Sequence, residues 1–398
     1  MSKKNIKLVS DTIDKNDIND LVDWLTQPEI PRLTKGDITP KFEQQFSDLI
    51  NVDHSVYVNS GSSAILLGLA ALKYSKLLKN NKIVISNLSW STDVTTPILL
   101  DYHPILVDCN LTDLSADLDQ LEQVFKDESP AAFILVSILG LVPDMDRITK
   151  LCKKYDVILI EDVCESLGSK YKGRVLGNFG ELSFFSLYYG HHISTIEGGM
   201  VCTNNPELND LLLSIRSHGW DRDLNADSQS QWRKEWNIDD FRAQYTFYYP
   251  GMNLRSTDLQ ALIGLNQLKK VEEFGNRRNK NFFQYISCIN ELGEEHNKLK
   301  LKQRDGDFVS NFCFPVINEN KETIVQNLIK DDIETRPLVA GSISNNPFWE
   351  MFAPKRDLTL LPTPNCDLID EYGFYVPNHQ DLSIEDIQRI ANIICSNK

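Results

Sequence analysis

Short apolar runs alternate with helical patterns through the first half of the chain. The runs are almost continuously aliphatic or aromatic, as expected of strands that are buried on both faces. They cover residues 55–58, 83–85, 105–107, 133–136, 157–160 and 182–187. Helical patterns fall between several of them, at 64–74, 118–125 and 145–155. This alternation predicts an α/β fold with a mainly parallel sheet, helices on both faces and ligands at the carboxyl ends of the strands.

The pattern changes in the second half of the chain. A helix through Arg216 leads into a polar, aromatic stretch at 220–249 that has no clean periodicity. The elements predicted beyond it are a long helix from 257 to about 292, strands near 308–315 and 333–337, and a last helix at 384–395. We therefore predict a large domain at 1–268 and a smaller α+β domain at 269–398.

Composition narrows the class of protein. The formal net charge is −15, which disfavours non-specific attraction to nucleic acid or to an anionic membrane. The first residues lack the apolar core of a signal peptide, and no apolar run is long enough to span a bilayer, so we expect a cytoplasmic protein. The eight cysteines are scattered without the spacing of a zinc or iron–sulfur site, and no metal is expected.

A small polar turn at 60–63 lies between a predicted strand and a helix. Backbone N–H groups and hydroxyls at a helix N-terminus can bind a phosphate, with Gly61 and Ser62 as the candidates. A plain N-cap turn is the alternative. The glycine-rich motifs of dinucleotide and nucleoside-triphosphate sites do not occur in the chain.

Two further candidates follow predicted strands. Glu161 and Asp162 come at the end of the aliphatic run 157–160, where an active-site carboxylate belongs in this architecture, although a loop cap is possible. Trp90 follows another strand, and its indole is suited either to stacking on a flat ligand or to the core.

The adjacent pair His191-His192 has three interpretations. Metal binding ranks low, because neighbouring histidines on one segment rarely face the same ion. Either ring can be a structural histidine, and either can be a general acid and base near neutral pH. The pair alone does not decide between these.

These features, taken in order along the chain, resemble the DegT/DnrJ/EryC1/StrS family of sugar aminotransferases. The residues that carry the likeness are Phe42-Glu43, Ser60-Gly-Ser-Ser63, Ile160-Glu-Asp162-Val-Cys-Glu165-Ser-Leu-Gly168, Phe184-Phe185-Ser186, Glu197-Gly-Gly199, Gly251-Met-Asn253-Leu-Arg255 and Thr335-Arg-Pro337. The resemblance implies the aspartate-aminotransferase-like fold (fold type I). It also implies pyridoxal 5'-phosphate or pyridoxamine 5'-phosphate as cofactor.

The chain departs from the family at one informative position. His191 stands five residues after Ser186 and six before Glu197, where the family carries the lysine that binds the cofactor covalently. By resemblance to members with histidine there, the cofactor is held non-covalently and the enzyme is a 3-dehydratase of a nucleotide-linked 4-keto-6-deoxy sugar. The implied substrate is GDP-4-keto-6-deoxy-D-mannose, with L-glutamate regenerating pyridoxamine phosphate and ammonia released.

The resemblance also implies roles for individual residues. His191 is the catalytic acid and base, Asp162 pairs with the pyridine nitrogen, and Glu165 faces the ring hydroxyl. Trp90 stacks on the ring, Gly61, Ser62 and Ser186 hold the phosphate, and Asn253 reaches the phosphate of a neighbouring subunit, which implies a homodimer with active sites at the subunit interface. The substrate-side candidates are Tyr188, His192, Arg222 and Arg255.

Three alternatives remain at this stage. An iron–sulfur-dependent relative is disfavoured, because no cysteine lies between Cys202 and Cys288, and no iron–sulfur cluster is expected. The second is a nucleotide-sugar aminotransferase with a displaced lysine such as Lys170. The third is a non-catalytic sugar-nucleotide-binding protein, against which the presence of an electron-sink partner at Asp162 argues.

Overall fold

A computed structural model describes residues 5–301, 304–356 and 358–396 of the chain. Residues 1–4, which belong to the segment predicted to lack a signal peptide, lie outside these ranges. The strands are β1 His54–Val58, β2 Lys82–Ser86, β3 His103–Val107, β4 Ala132–Val136, β5 Ile158–Asp162, β6 Lys170–Tyr171, β7 Arg174–Val175, β8 Leu182–Ser186, β9 Gly199–Thr203, β10 Cys313–Ile317, β11 Arg336–Pro337, β12 Thr359–Leu360 and β13 Gly373–Pro377.

The helices lie mainly between these strands. They are α1 Lys15–Leu25, α2 Ile38–Ile50, α3 Gly61–Tyr74, α4 Ser91–Leu99, α5 Leu118–Glu128, α6 Met145–Tyr155, α7 Pro206–Arg216, α8 Ala226–Glu235, α9 Asp240–Ala243, α10 Asp258–Leu268, α11 Val271–Leu292, α12 Lys321–Lys330, α13 Pro347–Arg356, α14 Pro364–Tyr372 and α15 Ile384–Cys395. Among the described residues, none of these helices is long and apolar enough to cross a membrane.

An eight-stranded sheet forms the centre of the molecule, in the order β1-β9-β8-β5-β4-β2-β3-β12. Every neighbouring pair is parallel except the two that include β9, which runs antiparallel to β1 and to β8. All five residues of β4 are buried, in keeping with a strand covered on both faces. The predicted mainly parallel sheet is therefore confirmed, and parallel pairing brings the carboxyl ends of β4, β5 and β8 to one edge.

The sequence did not indicate β9, because it begins inside a Gly-Gly pair typical of a turn. A Cβ atom on Gly199 would lie 2.2 Å from the carbonyl oxygen of Ser60, so only glycine allows the strand to pass this close to the turn after β1. The same strand therefore supports the polar turn singled out in the sequence.

One helical prediction is corrected by the structure, and several helices were not predicted. The long pattern at 257–292 is two helices, α10 and α11, and Lys270 at the break forms ion pairs with Asp14 and Asp17 at 2.9 and 2.7 Å. The aperiodic stretch 220–249 contains α8 and α9, and α8 has no buried residue that would produce an apolar period. Helix α4, rich in β-branched residues, was also missed.

The C-terminal part contains a three-stranded antiparallel sheet in the order β10-β13-β11. Its first strand begins at Cys313, five residues later than the predicted start near 308. Strand β12 leaves this part of the chain and pairs in parallel with β3, at the edge of the large sheet. The division at 268 and 269 stays a proposal, with residues 269–398 contributing to both sheets.

Candidate active site

A cavity of about 580 Å³ opens at the carboxyl edge of the large sheet. Eight of the residues predicted from the sequence line it: Gly61, Ser62, Trp90, Asp162, Glu165, Ser186, Tyr188 and His191. They come from the ends of β1, β2, β5 and β8 and from the loops that follow, as expected of a ligand site in an open α/β sheet.

The N-terminus of α3 forms one wall of the cavity. Ser60 is the N-cap, and its hydroxyl accepts a hydrogen bond from the N–H of Ser63 at 3.1 Å. The first N–H groups of the helix, at Gly61 and Ser62, have no acceptor within the helix and are available to an anion. A Cβ on Gly61 would lie 2.7 Å from the Cβ of Ser186, so glycine keeps this space open. The turn is thus both an N-cap and a candidate anion site.

The two carboxylates at the end of β5 have separate surroundings. Glu161 is fully buried, and its oxygens accept hydrogen bonds from the backbone N–H groups of Gly177, Phe179 and Gly180 at 2.8, 2.6 and 2.8 Å. Asp162 lines the cavity, and its Oδ1 accepts from the N–H of Cys164 at 2.8 Å. Glu161 therefore caps a loop, and Asp162 is the carboxylate available to a ligand.

Glu165 lies beside Asp162 in the cavity wall. Its Oε2 accepts a hydrogen bond from the N–H of Leu139 at 2.9 Å. Burial raises the pKa of Glu165 to about 7, with the charge of Asp162 acting in the same direction and the Leu139 bond opposing it. The side chain is therefore largely protonated below pH 7, and it can then donate a hydrogen bond as well as accept one.

His191 lies on the loop that follows β8. Its Nδ1 is 2.6 Å from the backbone carbonyl oxygen of Cys164, which accepts only from a protonated nitrogen. The ring also contacts Phe312, with centroids 5.3 Å apart. Burial lowers the pKa of His191, and Arg278 acts in the same direction, while the Cys164 bond and Asp162 oppose them. The neutral ring with its proton on Nδ1 leaves the lone pair on Nε2.

His192 does not line the cavity. Its side chain is buried, its Nε2 donates to the carbonyl oxygen of Ser310 at 2.7 Å, and its ring contacts Phe312. Burial lowers the pKa of His192 well below its usual range. The geometry favours a structural role in place of the substrate contact expected from the sequence.

Trp90 is 56% exposed at the cavity, so its indole is not part of the core. Arg222, Arg255 and Asn253 do not line the cavity of their own chain. Arg222 and Arg255 lie over the ring of Trp220, at 3.9 and 5.9 Å from its centroid, and Asn253 pairs with Ser217.

Several lining residues escaped the sequence reasoning. Phe312, Glu334, Arg336 and Tyr375 come from the C-terminal part, and Leu8 comes from the N-terminal segment. The N–H of Leu8 donates to Glu334 at 3.0 Å, which joins two remote segments at the cavity. Arg336 could have been found from the sequence, because it belongs to the family motif at 335–337. Phe312 lies in an apolar stretch, and nothing there indicates a residue of the site.

This arrangement of a helix N-terminus, a strand-end aspartate and an exposed indole around one cavity agrees with the family resemblance. The chain belongs to the DegT/DnrJ/EryC1/StrS aminotransferase family, whose profile matches residues 12–395. The observed fold is the α/β fold of pyridoxal-phosphate aminotransferases, as predicted.

Similarity to individual proteins is more informative about activity than the family match. The chain is 33% identical over 401 residues to the GDP-4-keto-6-deoxy-D-mannose 3-dehydratase of Yersinia pseudotuberculosis, with 98% of each sequence covered. It is also similar to two solved structures of GDP-4-keto-6-deoxymannose-3-dehydratase, each at 29% identity and a TM-score of 0.86, covering 98% of this chain and 100% of the other. One is a histidine-to-asparagine mutant with bound GDP-perosamine, and the other holds a trapped PLP-glutamate geminal diamine.

Proposed function

We propose that this protein is a pyridoxamine-phosphate-dependent 3-dehydratase that removes the C3 hydroxyl of GDP-4-keto-6-deoxy-D-mannose and uses L-glutamate to regenerate the cofactor. The observation that carries the proposal is the imidazole of His191 at the position of the family's lysine, with its Nδ1 bonded to Cys164. An imidazole can move protons there but cannot hold the cofactor covalently. A cytoplasmic location remains part of the proposal.

The described residues fit the cofactor. Because Gly61 has no Cβ, the first turn of α3 packs directly against Ser186, so the N–H groups of that turn and the hydroxyl of Ser186 lie side by side as donors for a phosphate. The exposed indole of Trp90 offers a flat face, and Asp162 offers a carboxylate for a pyridine nitrogen. Glu165, protonated below pH 7, can donate its proton to a ring oxygen.

The bound cofactor supplies an amine that condenses with a keto group and a ring that accepts electrons. His191 supplies the proton transfer. Because Nδ1 is committed to Cys164, Nε2 is the atom that takes a proton from a neighbouring carbon. The charged ring can then return that proton to the C3 hydroxyl of the sugar as it leaves. Asp162, as an anion beside the pyridine nitrogen, keeps that nitrogen protonated.

Arg336 is the candidate for the carboxylate of glutamate. It lines the cavity, its side chain is exposed, and a guanidinium binds a carboxylate through two parallel hydrogen bonds. The solved relative with a PLP-glutamate adduct supports glutamate as the amino donor. Tyr188, 48% exposed at the same cavity, stays a candidate for the sugar.

We also propose a homodimer in which Arg222, Asn253 and Arg255 serve the partner's cavity. None of the three lines the cavity of its own chain, which leaves them available elsewhere. The surrounding segment exposes large apolar side chains, as protein interfaces do. They are Trp236, Phe241, Tyr245, Phe247 and Met252.

The aminotransferase alternative has less support. Lys170 does not line the cavity, and its ammonium lies 5.9 Å from the ring centroid of Phe308. Lys7 does line the cavity, in the N-terminal segment, and its side chain is exposed. Borohydride reduction followed by peptide mapping tests both lysines, because it would attach the cofactor permanently to a lysine that had bound it.

The decisive test is product analysis by mass spectrometry with GDP-, CDP-, UDP- and dTDP-linked 4-keto-6-deoxy sugars and glutamate. We expect a 3-deoxy product and ammonia with the GDP sugar, no dehydration by His191→Asn or His191→Lys, and full activity in the control His54→Asn. Amino-sugar product from the unaltered protein would establish an aminotransferase, and no product with any sugar would favour a binding protein.

A further inference from the structure

One buried carboxyl beside Asp162 of the cavity, that of Asp93, has no role in the proposed mechanism. Asp93 is the third residue of α4, and it is completely inaccessible to solvent. Its Oδ2 accepts one hydrogen bond, from the backbone N–H of Trp90 at 3.2 Å. The side chain thus caps the N-terminus of α4 directly after Trp90, which lines the cavity.

The other oxygen of Asp93 lacks a conventional partner. No N–H or O–H group among the described residues donates to Oδ1, although the atom is buried. The carboxyl of Asp162 lies within hydrogen-bonding reach of the Asp93 side chain. Two ionised carboxylates have no donor between them, so this contact is a hydrogen bond only if one of the two carries a proton.

The surroundings decide which carboxyl carries the proton. Asp162 accepts a 2.8 Å hydrogen bond from the N–H of Cys164 and lines the cavity. A negative charge on Asp162 is therefore stabilised by that donor and is accessible to a bound cation. Asp93 has only the longer bond from Trp90. Burial raises the pKa of Asp93 well above its usual range, and the charges of Asp162 and Glu165 act in the same direction. Cys164, a further titratable group near it, is also an acid, so none of these neighbours favours an anionic Asp93.

We propose that Asp93 is a positioning residue that stays protonated and donates its hydroxyl to Asp162, which orients that carboxylate and keeps the charge of the pair at −1. The inference rests on the proposed function, because it assigns Asp162 to the pyridine nitrogen. The single negative charge of the Asp93–Asp162 pair then faces the single positive charge of the protonated pyridine nitrogen. A second ionised carboxyl at this depth would be a buried charge without a partner.

Infrared spectroscopy tests the proton directly in the protein without cofactor. At pH 8, above the pKa of Glu165, we expect a carbonyl band of a protonated carboxyl in the unaltered protein and its loss in Asp93→Asn. The matched control is Asp386→Asn, because Asp386 is also the third residue of a helix and accepts the N–H of its N-cap Ser383 at 3.1 Å. The control should keep the band.

Cofactor binding tests the orientation. In Asp93→Asn the amide N–H replaces the carboxyl O–H without changing the charge, so the Kd for pyridoxamine phosphate should change by less than about twofold. In Asp93→Leu the donor is lost, and Kd should rise about tenfold or more, since a hydrogen bond to a charged group is worth at least this much. Thermal unfolding of both variants identifies any loss due to misfolding.

The opposite pattern overturns the proposal. If Asp93 were ionised, Asp93→Asn would remove a charge and weaken binding as much as Asp93→Leu, and Asp93→Asn would lose no carbonyl band of a protonated carboxyl. Failure of the proposed function gives a different result, because a protein that forms no 3-deoxy sugar can still show the band and its loss in Asp93→Asn.

Discussion

One hydrogen bond determines which nitrogen of His191 is available for chemistry. The bond from Nδ1 to the carbonyl of Cys164 places the lone pair on Nε2, and burial keeps the ring neutral near pH 7. The ring can therefore act first as a base, before any proton has been taken from solvent.

This leads to a prediction about pH. Because burial lowers the pKa of His191 below 6.5, dehydration should be retained down to pH 6.5 and should fall only at lower pH, as the imidazole becomes protonated. The measurement is kcat/KM for the GDP sugar between pH 5 and 8. An acid limb centred above pH 7 would contradict this assignment of the base.

Glu165 gives a prediction about stability. Its pKa rises from 4.5 to about 7 on folding, so the unfolded chain ionises first and stability falls as pH rises from about 4.5 to 7. For a partly accessible side chain we expect a loss of about 1–3 kcal/mol. Urea unfolding of the cofactor-free protein at pH 5 and pH 8 measures it. Glu165→Gln should show a smaller pH dependence, and an equal dependence in both proteins would refute the raised pKa.

At the scale of single residues, the sequence predicted members of the site from polar and aromatic residues that follow predicted strands. Eight of the twelve predicted residues line one cavity, because parallel strands bring their carboxyl ends to the same edge of the sheet. His192 lies outside the cavity lining while His191 is part of it, because adjacent residues on a loop can face opposite directions. Asp93 and Phe312 were missed, since a burial-dependent proton and a ring contact leave no trace in one sequence.

At the scale of elements, the approach of β8 to the first turn of α3 sets the size of the anion cradle. Gly61→Ala should raise the Kd for pyridoxamine phosphate at least about tenfold, because the new Cβ would lie 2.7 Å from the Cβ of Ser186. Fluorescence titration of the purified variants measures this. Ser62→Ala keeps the backbone N–H and serves as the control, with a loss below about threefold, and equal effects of both changes would contradict the cradle.

Helices and strands were predictable from the sequence where their buried residues produce a regular pattern of apolar positions. The apolar strands and α6, with buried residues on one face, were found within a few positions. Helix α8 buries none of its residues, so only its cap residue Asn225 could have indicated it. The break between α10 and α11 depends on Asp14 and Asp17, more than 200 positions away, and no local pattern contains that information.

At the scale of the whole molecule, the proposed homodimer predicts complementation between subunits. His191→Asn disables the site of its own chain, whereas Asn253→Asp places a negative charge against the phosphate in the partner's site. Co-expression of the two with different tags should restore about a quarter of the dehydratase activity, because half of random dimers are mixed and each has one intact site. Each variant alone stays inactive, and absence of restoration in isolated mixed dimers would contradict sites shared between subunits.

The pairing of β12 with β3 has a consequence for biosynthesis. Residues 359–360 complete the edge of a sheet whose other strands have all been translated by residue 203. Until the ribosome has released almost the whole chain, β3 remains an open edge with free backbone N–H and C=O groups, which is a template for intermolecular pairing. A nascent or truncated chain that stops at 268 is thus most exposed to aggregation at β3, the strand farthest from β1, and the later pairing with β12 protects that edge.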